Sequence, residues 1–254
     1  MKKKRVLLKI GTNTLTKETD QISRGKIEDI GRQVAALAKD YEFIIVSSGA
    51  IAAAKQFVKL EHNGQEINVK QALAAIGQPH LMRIFQENFR ELGLFTAQCL
   101  LSYSDFENPK SKANIKNTID ILVSNNFIPI INENDTVATD EIQFGDNDKL
   151  AALTASLLKV DLLIIATNTD GIYTKSSLEL NRPETIRTVT GIAQLEQEIS
   201  TAKSSHGTGG MYSKVEAAII AKDAGIETWI VNGIKDNFIV NAINGSANHT
   251  KITS

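Results

Sequence analysis

The chain of 254 residues has little cysteine, little proline, few aromatics and no excess of either charge. Its one cysteine, Cys99, excludes an intrachain disulfide and a cysteine-based zinc site, and it fits a reducing, cytoplasmic compartment. The four histidines, His62, His80, His206 and His249, show no metal-ligand spacing, so no residue is expected to ligate a resident metal. Lys and Arg number 28 against 29 Asp and Glu, a net charge of −1, which removes the electrostatic footprint of a nucleic-acid binder. No apolar run reaches the roughly 18 residues of a membrane span, so no membrane association is expected. Lys2–Arg5 precede an apolar run as in a secretory leader, but Val6–Ile10 is too short for one and contains Lys9.

What the chain does contain is 42% hydrophobic residues, the makings of an ordinary globular core. Short β-branched runs recur at Val6–Ile10, Phe43–Val46, Phe127–Ile131, Leu162–Ala166 and Glu227–Val231. Runs of this kind are strands buried on both faces, as in a parallel sheet covered by helices. Between them Ile27, Ile30, Val34 and Leu37 repeat at helical spacing, as do Leu81, Ile84, Phe85 and Leu92, and later Ile115, Ile119, Leu122 and Val123. Pro109 and Pro129 are expected at element starts. With no linker-like stretch and no internal repeat, one α/β domain over residues 1–254 is the simplest organisation.

In open α/β sheets ligands bind beyond the carboxyl ends of the strands, so the residues after each run are the candidates. The first run ends in Lys9-Ile10-Gly11-Thr12-Asn13-Thr14. A lysine in an apolar strand is costly unless its ammonium reaches a partner; the alternative is a snorkelling lysine at a sheet edge. The second is followed by Ser47-Ser48-Gly49-Ala50-Ile51, where a helix opens directly from a strand. Ser48 and the Gly49 amide suit an anion there, and Ser48 suits equally an ordinary helix N-cap.

After Phe127–Ile131 come Asn132-Glu133-Asn134-Asp135 and then Gly145-Asp146-Asn147-Asp148. Turn and cap chemistry accounts for either group alone, but both together hold more carboxylates and amides than turns require. Leu162–Ala166 is followed by Thr167-Asn168-Thr169-Asp170-Gly171, readable as a ligand loop or as a plain Asp-Gly turn. Gly207-Thr208-Gly209-Gly210-Met211-Tyr212-Ser213-Lys214 opens a further helix, with amides and a lysine suited to phosphate. It matches neither a P-loop nor a dinucleotide fingerprint. Cys99, within the apolar run Leu94–Leu101, reads as a buried hydrophobe.

Two lysines from distant loops, a glycine-rich loop and an acidic loop suit phosphoryl transfer to an anionic acceptor, a reaction that rests on positioning and charge neutralisation. In their order and spacing, these motifs from about Val6 to about Val231 resemble the amino acid kinase family, and within it the members that phosphorylate the side-chain carboxylate of glutamate. The resemblance implies a three-layer αβα sandwich with an open, mainly parallel eight-stranded sheet. The N-terminal part would bind L-glutamate and the part from about residue 150 would bind ATP with Mg²⁺. It further implies catalytic roles for Lys9, Asp148 and Lys214, the aspartate holding both lysines. Ser48, Gly49, Asp135 and Asn147 would bind the substrate, and Lys9, Gly11, Thr167, Asn168 and the stretch Thr208, Gly209, Gly210, Met211, Tyr212, Ser213 and Lys214 the nucleotide.

The resemblance also implies a cytoplasmic enzyme that opens proline biosynthesis, with proline as a feedback inhibitor, the loop Asn63–Asn68 taking part, and assembly as a dimer or tetramer. Asn168 stands where the family usually has aspartate. The chain stops near Ser254, where many such enzymes continue into a small C-terminal domain, so a kinase domain alone is expected. An acceptor such as aspartate, N-acetylglutamate or uridylate, or a non-catalytic amino-acid sensor on the same scaffold, is the alternative.

Overall fold

In a computed structural model describing residues 2–61, 66–137, 147–191 and 210–253, the first apolar run is an inner strand of an eight-stranded sheet. Strand β1 (Lys4–Ile10) lies between β2 (Tyr41–Ser47) and β5 (Leu162–Thr167), parallel to both. The sheet runs β3 (Phe95–Leu101), β4 (Phe127–Glu133), β2, β1, β5, β7 (Glu227–Asn232), β8 (His249–Ile252), β6 (Thr188–Val189). Among the described strands of this sheet, the β7–β8 pairing alone is antiparallel. The five predicted strands are all present.

Side-chain alternation divides the core between two helical layers. Val6, Leu8 and Ile10 face a cluster built with α2 (Arg24–Leu37) and α4 (Ile67–Arg90), including Ile27, Ile30, Leu81, Phe85 and Phe89. The short α1 (Thr12–Thr16), α3 (Ala50–Lys55) and α9 (Phe238–Ile243) add Leu15, Ala53 and Ile239 to the same layer. Leu7, Ile44, Ile131 and Ile165 face the opposite cluster, built with α5 (Pro109–Ser124), α6 (Asp148–Leu158) and α8 (Gly210–Asp223). The result is the expected αβα sandwich; α7 (Lys175–Glu179) lies outside these two layers' contacts.

Local signals start the helices where the sequence places them. Ser23 accepts from the Lys26 N–H at the start of α2, and Asn108 accepts from Lys110 and Ser111 ahead of Pro109 at the start of α5. Three details differ from expectation. Pro129 is the third residue of β4 rather than its start; the ladder to β2 begins only at Ile130, so no hydrogen bond to β2 is lost there. Leu92 lies beyond the end of α4. Cys99 is only half-buried, because β3 is an edge strand covered on one side, and burial raises its thiol pKa. Among the described residues, no helix is long and apolar enough to cross a membrane.

After β4 the chain crosses to the far side of β1 to form β5. The carboxyl ends of β1, β2 and β5 therefore flank the point where strand order reverses, which is where such sheets bind ligands.

Candidate active site

The alternation that turns Leu7 toward the α5–α6–α8 layer turns Lys9 the same way, toward the start of α6. Lys9 is 3% exposed and its Nζ lies 2.5 Å from Oδ1 of Asp148, the first residue of α6, which is wholly buried. Since β1 is a central strand, the snorkelling edge lysine is excluded. From the first turns of α8, Lys214 Nζ donates to Asp148 Oδ2 at 3.0 Å and to the Gly210 carbonyl at 2.7 Å. The Ser213 hydroxyl also lies 3.0 Å from Asp148 Oδ2. One carboxylate thus holds two ammonium groups, one from β1 and one from α8. A buried cluster of this composition is costly to desolvate, and its two ammonium groups suit an incoming anion.

Gly11 borders the Lys9 ammonium. Its backbone has ordinary extended angles, so no strain demands glycine, but a Cβ built there would sit 3.5 Å from Lys9 Nζ. Lacking that carbon, the chain keeps the approach to the ammonium open.

Beside the cluster is a cleft of about 630 Å³ whose lining includes Thr12, Asn13, Ser48, Gly49, Asp135 and Asn147. Ser48 does not cap α3. Gly49 holds the cap position with φ 103°, a left-handed conformation that favours glycine, while the Ser48 N–H pairs with the Ile10 carbonyl at 3.0 Å. The start of α3 is fixed from behind by α4, where a Cβ on Gly77 would come within 1.8 Å of the Ala50 carbonyl oxygen.

Asn147 occupies the cap position of α6, yet its side chain makes no capping bond. Its Nδ2 donates instead to the Ser47 carbonyl at 3.0 Å and to Asn132 Oδ1 at 2.7 Å, and Asn132 Nδ2 donates to Gln78 Oε1 at 2.8 Å. Asp135 is half-buried in the cleft wall, and burial raises its carboxyl pKa to about 6. Among the described residues, the cleft lining has Asp20, Glu133 and Asp135 against Lys55 as its cation, and no arginine.

On the other side of β1, Thr167 ends β5 and its carbonyl accepts from the Gly233 N–H at 2.7 Å. Asn168 is exposed and donates to Glu18 Oε1 at 3.0 Å. Asp170 is tied to Asn232 and Lys235, and Gly171 has φ 118°, so the Asp-Gly turn is present. Gly210, Met211, Tyr212 and Ser213 form the first turn of α8, with Tyr212 60% exposed. Gly207, Thr208, Gly209, Gly145, Asp146 and Asn63 lie outside the described residues.

Lys9, Asp148, Ser213 and Lys214 are therefore in contact, Ser48, Gly49, Asp135 and Asn147 share one cleft, and Thr167 and Asn168 stand at the adjoining strand end. Two residues escaped the sequence reading. Glu18 carries no motif, and its one signal is proximity in the chain to Asn13. Gln78 is a buried polar residue on an otherwise apolar helix face between Gly77 and Pro79.

A family model described as the amino acid kinase family matches residues 4–232. A glutamate 5-kinase from Alkaliphilus metalliredigens is 39% identical over 98% of this chain and 95% of its own length. One from Thermoanaerobacter sp. is 41% identical over 95% of this chain; the match spans 65% of that longer protein. Among solved structures, carbamate kinase from Giardia lamblia bound to AMP-PNP superposes with a TM-score of 0.70 at 15% identity, covering 99% of this chain and 98% of that one, a likeness of fold. With the matched model spanning both lysines, the aspartate between them and every strand from β1 to β7, the chain belongs to the amino acid kinase family.

Proposed function

We propose that this chain transfers the γ-phosphoryl group of ATP to the γ-carboxylate of L-glutamate, giving γ-glutamyl phosphate and ADP, the reaction named by its relatives and the opening step of proline biosynthesis. The observation that carries this is the buried Lys9–Asp148–Lys214 cluster adjoining, through Asn147, a cleft lined by Ser48, Asp135 and Asn147. Two anionic reactants must meet in such a reaction, so catalysis consists of holding them in line and neutralising charge on the passing phosphoryl group. A carboxylate is already an adequate nucleophile, and no general base is required.

In this mechanism residues up to β4 and the start of α6 hold the amino acid, and residues from about 150 onward hold the nucleotide, as one kinase domain. Asp135 accepts from the substrate ammonium, while Ser48 and the Gly49 N–H face carboxylate oxygens. Lys9 and Lys214 contact the transferring phosphoryl oxygens from two sides. Asp148 touches neither reactant; it aims both ammonium groups. Gly11, Thr167, Asn168 and the segment Thr208–Lys214 border the nucleotide. Among the described residues no cluster of three carboxylate, histidine or cysteine side chains could hold a cation. By the general behaviour of this hard cation, the Mg²⁺ that accompanies ATP would be held through the phosphates and water, and no step here runs through it. A cytoplasmic dimer or tetramer with proline competing at the glutamate cleft completes the proposal.

The acidic, arginine-free lining favours an acceptor with a free ammonium over a nucleotide phosphate. Coupled ADP release with glutamate, aspartate, N-acetylglutamate and UMP tests this. Turnover with glutamate at the highest kcat/KM is expected; preference for another acceptor, or turnover of none, overturns it.

A further inference from the structure

Three side-chain amides in series lie behind the cleft, and two backbone groups determine which way each one points. Asn147 Nδ2 faces the Ser47 carbonyl, which can only accept, so its NH₂ end must lie on that side. Asn132 Oδ1 receives the Glu133 backbone N–H at 2.9 Å, which can only donate, so its carbonyl end is settled as well. The contact between the two amides then runs from Asn147 Nδ2 to Asn132 Oδ1, and Asn132 Nδ2 is left to donate to Gln78 Oε1. All three residues are at least nine-tenths buried, with exposures of 2% for Asn132, 5% for Asn147 and 7% for Gln78. Water is therefore a poor substitute for a missing partner.

The two hydrogens of Asn147 Nδ2 are both engaged, one by Ser47 and one by Asn132. What remains for a ligand in the cleft is Oδ1, an acceptor. Beside it in the same lining stands the Asp135 carboxylate, also an acceptor. A pair of acceptors recognises a donor-rich cation and repels an oxyanion.

We infer that Gln78 is a positioning residue that, through Asn132, holds Asn147 with its carbonyl toward the cleft, so that Asn147 and Asp135 together select acceptors bearing a free α-ammonium group. This rests on glutamate being the acceptor. Gln78 itself is absent from the cleft lining and acts from α4, one layer behind. Without its Oε1, the buried Asn132 NH₂ loses its acceptor described here, so that amide gains by turning over at the expense of its bonds to the Glu133 N–H and to Asn147; Asn147 is then held by the Ser47 carbonyl alone, and its NH₂ end turns toward the cleft in a larger share of molecules. A donor would then face the substrate ammonium.

The test uses the full chain carrying Gln78→Met or Gln78→Leu, which delete the acceptor at similar size, and Gln78→Glu, which keeps it. Glutamate is varied at saturating ATP, and glutarate, with both carboxylates and no ammonium, serves as a competitive inhibitor against glutamate. Both apolar variants are expected to raise the glutamate KM about tenfold, the scale of one hydrogen bond to a charged group, with kcat, the ATP KM and the glutarate Ki within about twofold. Gln78→Glu is expected to restore most of the glutamate KM. Equal rises in glutamate KM and glutarate Ki, or no change in either, overturn the inference, as does failure of Gln78→Glu to rescue while remaining folded by its thermal transition. Absence of glutamate turnover in the unmodified chain would instead refute the acceptor assignment.

Discussion

Lys9 Nζ and Asp148 Oδ1 are 2.5 Å apart, and the two side chains, 3% and 0% exposed, come from a central strand and from the first residue of a helix that starts far later in the chain. Lys214 engages the other oxygen of the same carboxylate. Replacing Asp148 by Asn removes the charge that separates two buried ammonium groups. Breaking a buried ion pair from one side typically costs about 3–5 kcal/mol, so Asp148→Asn is expected to lower Tm markedly. With Asp148 aiming the lysines rather than touching glutamate, as proposed above, kcat is expected to fall more than the glutamate KM rises. Lys9→Ala and Lys214→Ala are each expected to lower kcat about 10²–10³-fold, as for loss of one preorganised donor to a transition-state oxyanion. Activity within about threefold of the unmodified chain in both lysine variants would refute their roles.

Gly11→Ala separates fold from function at one atom. The backbone there is in a region any residue adopts, and the added Cβ makes an ordinary 3.5 Å contact with Lys9 Nζ, so Tm is expected to change little. The methyl group nevertheless occupies the approach to the ammonium, which is the path of the phosphoryl group in the proposed mechanism. A rise in the ATP KM with an unchanged melting transition is expected, measured by ATP titration beside a thermal melt. An unchanged ATP KM would show that the phosphates approach from another side.

Much of this architecture is legible in the sequence, for a physical reason. Strands buried on both faces need continuous Val, Ile and Leu, and the runs at Val6–Ile10 and Leu162–Ala166 meet that need without interruption. Lys9 is conspicuous because nothing in such a run tolerates a charge without a partner. Its partner, Asp148, is named only by the family resemblance and by no local pattern, since packing of α6 on the sheet brings the two together. Ser48 and Asn147 show the opposite failure. Both are ordinary capping residue types just ahead of a helix, and only the fold reveals that Gly49 takes the cap position in place of Ser48 and that the Asn147 side chain makes no capping bond. Gln78 is invisible for a further reason: it makes no contact with the cleft, and its importance lies in the direction of another side chain's amide.

Asn168 offers a test of the nucleotide side. Its Nδ2 donates to Glu18 Oε1 at 3.0 Å, so the residue is matched to a carboxylate across the mouth of the site. Asn168→Asp would set two carboxylates face to face. Both side chains are exposed, which limits the repulsion to about 1 kcal/mol or less and makes it sensitive to salt. The expected outcome is a rise of a few-fold in the ATP KM at low ionic strength that shrinks with added salt, with no change in the glutamate KM. Equal effects on both substrates would argue that Glu18 acts on the whole cleft and not on the nucleotide turn.

Asp135 makes acid sensitivity a property of one carboxyl group. Burial disfavours its charged form and lifts its pKa from 3.8 to about 6 in the folded chain. In the proposed role the substrate ammonium needs the charged form, so the free protein is expected to lose affinity for glutamate as Asp135 gains its proton. The plot of log(kcat/KM) for glutamate against pH is therefore expected to bend downward below about pH 6, a limb that reports the free enzyme. Asp135→Asn is expected to remove that bend and to lower kcat/KM at about pH 8, where the carboxylate would have been fully charged. Stability moves in the opposite direction. A folded pKa above the unfolded value means that ionising Asp135 opposes folding; the penalty is complete above about pH 6 and absent below about pH 3.8. Asp135→Asn is thus expected to raise Tm at about pH 8 and to leave it unchanged near about pH 3.5. A variant that loses activity and stability together at about pH 8 would show that Asp135 is held by a cation in the ligand-free protein, contrary to a carboxylate kept costly until the substrate supplies its ammonium.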